Sequence, residues 1–264
     1  MSTFELLTAL AVTLYAISWG KLILTLREPN NPRTQCFNLL AVASIIQAGL
    51  LGHTLFHADG MSLGLSNLAS LMSWWSILLL LLSSVRQPTF ILSLVLTPIA
   101  ILGSLMMAFW PDANDSYIIS YDLAVHIVTS ILAYTVLTLA IAQSLTWAWL
   151  NNRLKNKQMN ILTQQMPPLQ VMENLFFKMT RVGFAFLSLS ILTGFIFLDD
   201  MFAQHIVHKT LLSILAWLMF LGLIIGHNHY GLRGQKAVRI AITGFVILAL
   251  GFLGSKFVLE RLIS

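Results

Sequence analysis

The chain has 264 residues, of which 57% are hydrophobic and only 9% charged, with a mean hydropathy of +0.81, a composition that excludes a soluble domain and describes a polytopic membrane protein. Its single cysteine, Cys36, rules out an intramolecular disulfide, a CxxC redox pair and a CxxCH haem-attachment site, so the chain is neither a c-type cytochrome nor a thiol reductant. The net charge of +5 comes from basic residues next to apolar runs, where orientation in the membrane explains them better than nucleic-acid binding does.

Apolar runs long enough to cross a bilayer core recur about eight times, near residues 3–25, 36–56, 66–85, 89–110, 123–150, 179–198, 210–228 and 239–258. Backbone polar groups inside hydrocarbon must bond internally, and the ten-residue alternating segments of a membrane β-barrel are absent. The expected class is therefore all-α, a polytopic transmembrane helix bundle forming one integral membrane domain over residues 1–264. Met1 to Leu26 lacks the basic start and small-residue cleavage site of a secretory signal and is expected to stay as the first span. Arg27, Arg33, Arg86, Arg153, Lys155, Lys157, Lys178, Arg181, Arg233, Lys236 and Arg239 flank one side of the runs; the connections on the other side hold only Lys209. Because Lys and Arg accumulate in cytoplasmic loops, both termini are expected on the non-cytoplasmic side. Asp59, Asp112, Asp115, Asp122, Asp199 and Asp200 then fall on the outer side.

In chain order, span two carries His53 near its outer end, followed by His57. Span three opens on Leu65-Ser66-Asn67 and holds Trp74 and Trp75, which read as packing groups. Pro98 removes a backbone donor inside span four, a change transmembrane helices tolerate when a neighbour satisfies the freed carbonyl. Span five, Asp122 to Leu150, contains His126 at its outer end. In steps of four, His126, Ser130 and Tyr134 form one polar stripe beside the small Ala133. An ionisable side chain in a span calls for a partner or a function, so His126 is either a site residue or an imidazole hydrogen-bonded to Ser130, Tyr134 or a neighbouring helix.

The connection from Asn151 to Lys178 starts with the basic cluster Arg153, Lys155 and Lys157. After Pro167-Pro168 it places Leu169, Met172, Phe176 and Met179 at helical spacing, an amphipathic inner-surface segment over about 166–178. The next outer loop holds Asp199, Asp200, His205 and His208; a solvated acidic loop is the expectation there, ahead of a metal site. Span seven ends in His227-Asn228-His229 before the basic turn GLRGQK. With no phosphate-binding glycine loop, no paired carboxylates and no nucleophile with a base, an enzyme is not expected. Nor do the runs show the internal repeat of many small-solute transporters.

Together, VHIVTSILAY, PPLQVMENLFFKMTRVGF with its following LTG, HKTLLSILAW and GLRGQKA resemble the cytochrome c assembly family of CcsA- and HemX-like membrane proteins, in its short bacterial branch. The resemblance runs from LSNLASLMSW at residue 65 to the last span. It implies a multi-pass protein of the bacterial inner membrane that binds or handles haem, with heme b as cofactor and no metal beyond the haem iron. His126 is similar to the family's first outer histidine, His53 to its first intramembrane histidine, and His227 stands nearest the second. The implied partners, besides the lipid bilayer, are cytochrome c maturation components or another inner-membrane protein. The chain departs from the family pattern in its loop LDDMFAQHIVHK, which lacks the tryptophan-rich signature, and in its last span, which has no histidine. These departures support a second reading, a haem-free accessory subunit. Counted from Thr210, His227 lies roughly 25 Å down its helix, so simple topology pairs His53 with His126 instead.

Overall fold

The structure, a computed structural model, describes residues 3–27, 33–57, 60–62, 64–84, 90–110, 121–158, 163, 166–197 and 204–254. Asp59, Arg86, Asp112, Asp115, Asp199 and Asp200 lie outside the described residues, as do the side chains of His57, Asp122, His205, His208 and Lys209. The helices are α1 (Thr3–Arg27), α2 (Arg33–Leu55), α3 (Leu65–Ser84), α4 (Ser93–Phe109), α5 (Tyr121–Lys155), α6 (Leu169–Phe197), α7 (Gln204–Tyr230) and α8 (Gly234–Ala249). Beyond helices and turns, the described backbone holds one short antiparallel pair, β1 (Phe56–His57) with β2 (Gly60–Met61), which closes the turn after α2.

Among the described residues, seven helices are long and apolar enough to cross a membrane, and α4 is a shorter apolar helix. Its 17 residues span only about 26 Å at the α-helical rise; the preceding 3-10 turn, Phe90–Leu92, adds about 6 Å and brings the segment to bilayer thickness. Leu10, Ile45, Leu82, Leu102, Ile196 and Leu218 are exposed on the helix surfaces, as expected where the surrounding solvent is lipid.

The chain forms two compact units. In unit 1, residues 1–118 and 149–168, α1 packs on α2 and α4, and α3 packs on α2 and α4, making a closed ring of four helices. The buried side of α1 is Thr8, Ala11, Tyr15, Ser18, Leu22 and Thr25, spaced by threes and fours. Such a seam of small and polar residues is how helices associate in lipid, where apolar packing brings no gain from expelling water. At the centre the Tyr15 hydroxyl donates to Gln47 Oε1 at 2.7 Å, and Gln47 Nε2 donates to Ser70 Oγ at 3.0 Å and to Ser73 Oγ at 3.4 Å. Tyr15 and Gln47 are fully buried, so this clasp joins α1, α2 and α3 through satisfied polar groups.

Pro98 sits inside α4 and has no N–H to offer the Leu94 carbonyl one turn earlier. That carbonyl instead accepts from Trp19 Nε1 of α1 at 3.0 Å. The freed acceptor and its replacement donor therefore come from two adjacent helices of one unit.

Unit 2, residues 119–148 and 169–264, is built on α5 to α8. Helices α5 and α6 run antiparallel: Gln143 Nε2 donates to the Met172 carbonyl, Leu137 lies against Gly183, and Ser130 meets Ser190. The buried side of α6, Met172, Phe176, Thr180, Gly183, Leu187 and Ser190, is a single stripe. The segment expected on the inner surface is thus the uninterrupted beginning of α6, and its Met172, Phe176 and Phe177 are buried in the protein. Helix α7 packs on α6 and α8, and α8 returns to α5 through Tyr134. Helix α5 continues to Lys155, so Arg153 and Lys155 lie on its last turn, not in a loop; Arg153 reaches over the Trp149 ring, and the chain turns off at Lys157, φ +53°. Cations at a helix C-terminus complement its dipole, which lets the helix extend past the apolar run.

Candidate functional site: the His126 stripe

The polar stripe read on span five is formed, and its partners are on two other helices of unit 2. His126 is half-buried in the second turn of α5. Its Nδ1 lies 3.0 Å from the Ser190 carbonyl oxygen and 3.3 Å from Thr193 Oγ1, both on α6. One turn on, the Ser130 hydroxyl donates to the His126 carbonyl at 2.7 Å and stands 2.7 Å from Ser190 Oγ. After another turn the Tyr134 hydroxyl donates to the Leu248 carbonyl of α8 at 2.9 Å, with its ring 5.2 Å from Phe252. This contact falls where α8 passes into a π-helical turn, Leu250–Gly254, in which the regular carbonyl pairing changes.

Of the partners weighed for His126, the neighbouring helix receives the ring, while Ser130 bonds to the His126 backbone and Tyr134 to α8. Ser190 and Thr193 were not singled out from the sequence. A signal was there: in the apolar run LSLSILTG, Ser190 and Thr193 are three apart and share a face. Nearby, Trp217 Nε1 of α7 donates to Ser188 Oγ at 2.8 Å, and its ring stacks on Phe184 of α6, so that part of α6 is fixed from a second side.

His227 has a different setting. Its ring stacks on Phe177, centroids 3.5 Å apart, and Nδ1 is 3.0 Å from the Leu232 carbonyl. That carbonyl belongs to the turn GLRGQK, where Gly231 and Gly234 have φ of +64° and +67°, backbone conformations glycine adopts without a Cβ penalty. The Leu232 amide returns to the Gly226 carbonyl, and the Gly234 amide donates to Glu173 Oε1 at 2.9 Å. His227 and Glu173 together clamp the link between α7 and α8. Along α6, Phe177 and Ser190 are 13 residues apart, about 20 Å at the helical rise, so His126 and His227 stand at opposite ends of the unit and cannot ligate one iron. His229 is exposed.

His53, in unit 1, is exposed at the end of α2, with the Phe4 ring 6.1 Å away, and its ring makes no hydrogen bond among the described residues. Trp74 and Trp75 pack edge to face, and Trp74 Nε1 donates to the Ser44 carbonyl, the packing role expected of them. No group of three or more His, Cys, Asp or Glu able to hold a metal ion occurs among the described residues.

From residue 7 to residue 263 the sequence matches the family described as cytochrome C assembly protein. The chain belongs to that family. It is 29% identical over 259 residues to the inner membrane protein YpjD of Escherichia coli K12, covering 97% of this chain and 98% of the relative, and equally to YpjD of Escherichia coli O157:H7. It is also 32% identical over 142 residues to an uncharacterized 28.8 kDa protein in the nifR3-like 5' region of Azospirillum brasilense, covering 53% of this chain and 52% of that one. No solved structure matches the chain. Both His126 and His227 of this member of the cytochrome C assembly family have Nδ1 at 3.0 Å from a backbone carbonyl, His126 across two helices and His227 within the α7–α8 link.

Proposed function

We propose that the chain is a non-enzymatic, haem-associated protein of the bacterial inner membrane acting in cytochrome c assembly, with heme b held through His126. The observation that carries this reading is the His126 imidazole itself, placed in an apolar helix and fixed through Nδ1 by a carbonyl of a second helix. Were haem bound here, His126 is the residue that would hold it, its imidazole supplying one nitrogen donor to the iron. His53 is a further, exposed imidazole, and His227 serves the α7–α8 link. The visible spectrum of the detergent-purified protein, before and after haem loading, tests the proposal. A Soret band that disappears in His126→Ala and persists in His229→Ala is expected; no band in the loaded protein overturns it.

A haem-free accessory subunit that partners another membrane protein is the second reading. It is favoured by the engagement of His227 with Leu232, at the other end of the unit from His126, and by the exposure of His53. A stoichiometric membrane partner recovered without haem is its signature. The distribution of Lys and Arg supports both termini on the periplasmic side in either case. Alkaline phosphatase fused after Ser264 should then be active in cells, and an inactive, stably expressed fusion would contradict that orientation.

A further inference from the structure

At the end of unit 2 away from His126, four cations stand on outward helix sides around α7. Phe177 of α6 stacks on His227 of α7, and Glu173 of α6 holds the Gly234 amide that opens α8, so these contacts mark one level across three helices. From that level α6 and α8 both run back along α7: Ser188 meets Trp217, and Gly244 lies against Met219 and Phe220. Lys178 is five residues beyond Glu173 and Arg239 five beyond Gly234, about 7 Å at the helical rise, and Arg181 stands about 12 Å in. Lys178, Arg181, Lys236 and Arg239 are all exposed. Cations in the connections are enough to orient a chain, but Arg181 is well inside the candidate span Leu169–Ile196.

A charge on a lipid-facing side is costly unless its head reaches water or an anion. Arg181 Nε donates to the Phe177 carbonyl at 3.3 Å, so the guanidinium bends back one turn toward the α7–α8 link. None of the four cations forms an ion pair among the described residues, and the carboxylate of Glu173 is engaged with Gly234. At about 100° per residue, Arg181 lies about 40° from Phe177, and Lys236 about 80° from Gly244, so each borders the face of α7 from its own helix. That face is the exposed line Leu215, Leu218, Gly222 and Ile225, ending in the exposed His229 and Tyr230. A Cβ at Gly222 would meet nothing within 4 Å, so the glycine leaves a recess in the line. Tyrosine at such a helix end marks the headgroup level.

We propose that this face binds one anionic phospholipid, its phosphate held between Arg181 and Lys236 and an acyl chain lying along Leu218, Gly222 and Ile225. The leaflet is the cytoplasmic one in the orientation given above. Lys178 and Arg239 add positive charge at the same level. A phospholipid matches both halves of the site, because it carries a phosphate at the water edge and hydrocarbon beside the apolar line. The site is separate from the His126 stripe and does not depend on haem.

Native mass spectrometry of the full-length, detergent-purified protein, titrated with dioleoylphosphatidylglycerol or dioleoylphosphatidylcholine, tests the proposal. One phosphatidylglycerol should be held about tenfold or more tighter than phosphatidylcholine. Arg181→Gln/Lys236→Gln should weaken it about fivefold per neutralised cation, on the order of 30-fold together, and Arg181→Lys should bind like the wild type. Gly222→Leu, which fills the recess and keeps every charge, should also weaken it. Arg153→Gln/Lys155→Gln, which removes two cations of unit 1, should leave it unchanged. Each variant is to share the wild-type gel-filtration peak and helical circular dichroism. Equal retention of the two lipids overturns the proposal, as does wild-type binding by Arg181→Gln/Lys236→Gln. An equal loss in Arg153→Gln/Lys155→Gln overturns it too, since general attraction to an anionic surface would then suffice. Displacement of the lipid by equimolar glycerol phosphate would make this a phosphate site, and a copurifying acidic polypeptide in its place a protein interface; either result also overturns it.

Discussion

Replacing Gly183 by alanine should lower the unfolding temperature of the detergent-solubilised protein by several degrees, the loss being read by helical circular dichroism and by the monodisperse peak in gel filtration. A Cβ at this position would stand 2.7 and 2.8 Å from Leu137 Cδ2 and Cγ, and 3.3 Å from the Leu137 amide nitrogen. Leu137 is fully buried and cannot swing aside. The helices must separate or the leucine must leave its rotamer, at a cost of about 1–3 kcal/mol. The partner change Leu137→Ala should recover part of the loss in the double variant, although it removes packing when made alone. A Gly183→Ala protein as stable as the wild type would mean that α5 and α6 are not in close contact at this level. Because the same helix pair carries His126 and Ser190, Gly183→Ala should also disturb the His126 environment two turns away.

The second large effect is expected at Gln47. Substitution by leucine keeps the approximate volume but takes from the Tyr15 hydroxyl its Gln47 acceptor, leaving Ser44 as its side-chain partner, and withdraws the amide that bonds Ser70 and Ser73. A buried polar group left unsatisfied costs about 1–3 kcal/mol, whereas hydrogen bonds between transmembrane helices average about 0.6 kcal/mol. With several bonds lost together at one buried site, about 2 kcal/mol is expected. Thermal unfolding should show Gln47→Leu less stable than Tyr15→Phe, and the double variant less damaged than the two losses added together. Strict additivity would show that the clasp is not one coupled unit.

Much of this architecture could be read from the chain, because each apolar run has to close its own hydrogen bonds in lipid. The helices fall where the runs lie, with α4 shortened at its start and α5 prolonged over Arg153 and Lys155. Those two residues read as loop because charge opposes burial, but at a helix end they reach water and suit the dipole. The packing faces were harder to see. In a soluble helix the buried side is the apolar side; here the buried side of α1 includes Thr8, Ser18 and Thr25, while Leu6, Leu10 and Leu24 face outward. Hydrophobic periodicity carries little information when the solvent is itself apolar. The same reason divides the site. His126 stood out because an imidazole is unusual in a span, but Ser190 and Thr193 are ordinary residues for a membrane helix. Their role depends on the stagger of α5 against α6, which is set by Gly183 meeting Leu137 and is invisible in either segment alone.

The bond from Trp19 to the Leu94 carbonyl also restricts the order in which this sequence can change. While Pro98 is present, losing the indole N–H leaves that carbonyl bare on an exposed face where the surrounding solvent is lipid, so Trp19→Phe is a penalised first step. After Pro98→Ala, the new amide can serve the carbonyl and Trp19 becomes replaceable. Two substitutions that end at the same sequence are therefore not equivalent as histories. One route passes through a sound intermediate and the other through a damaged one, so drift at position 19 is gated by position 98.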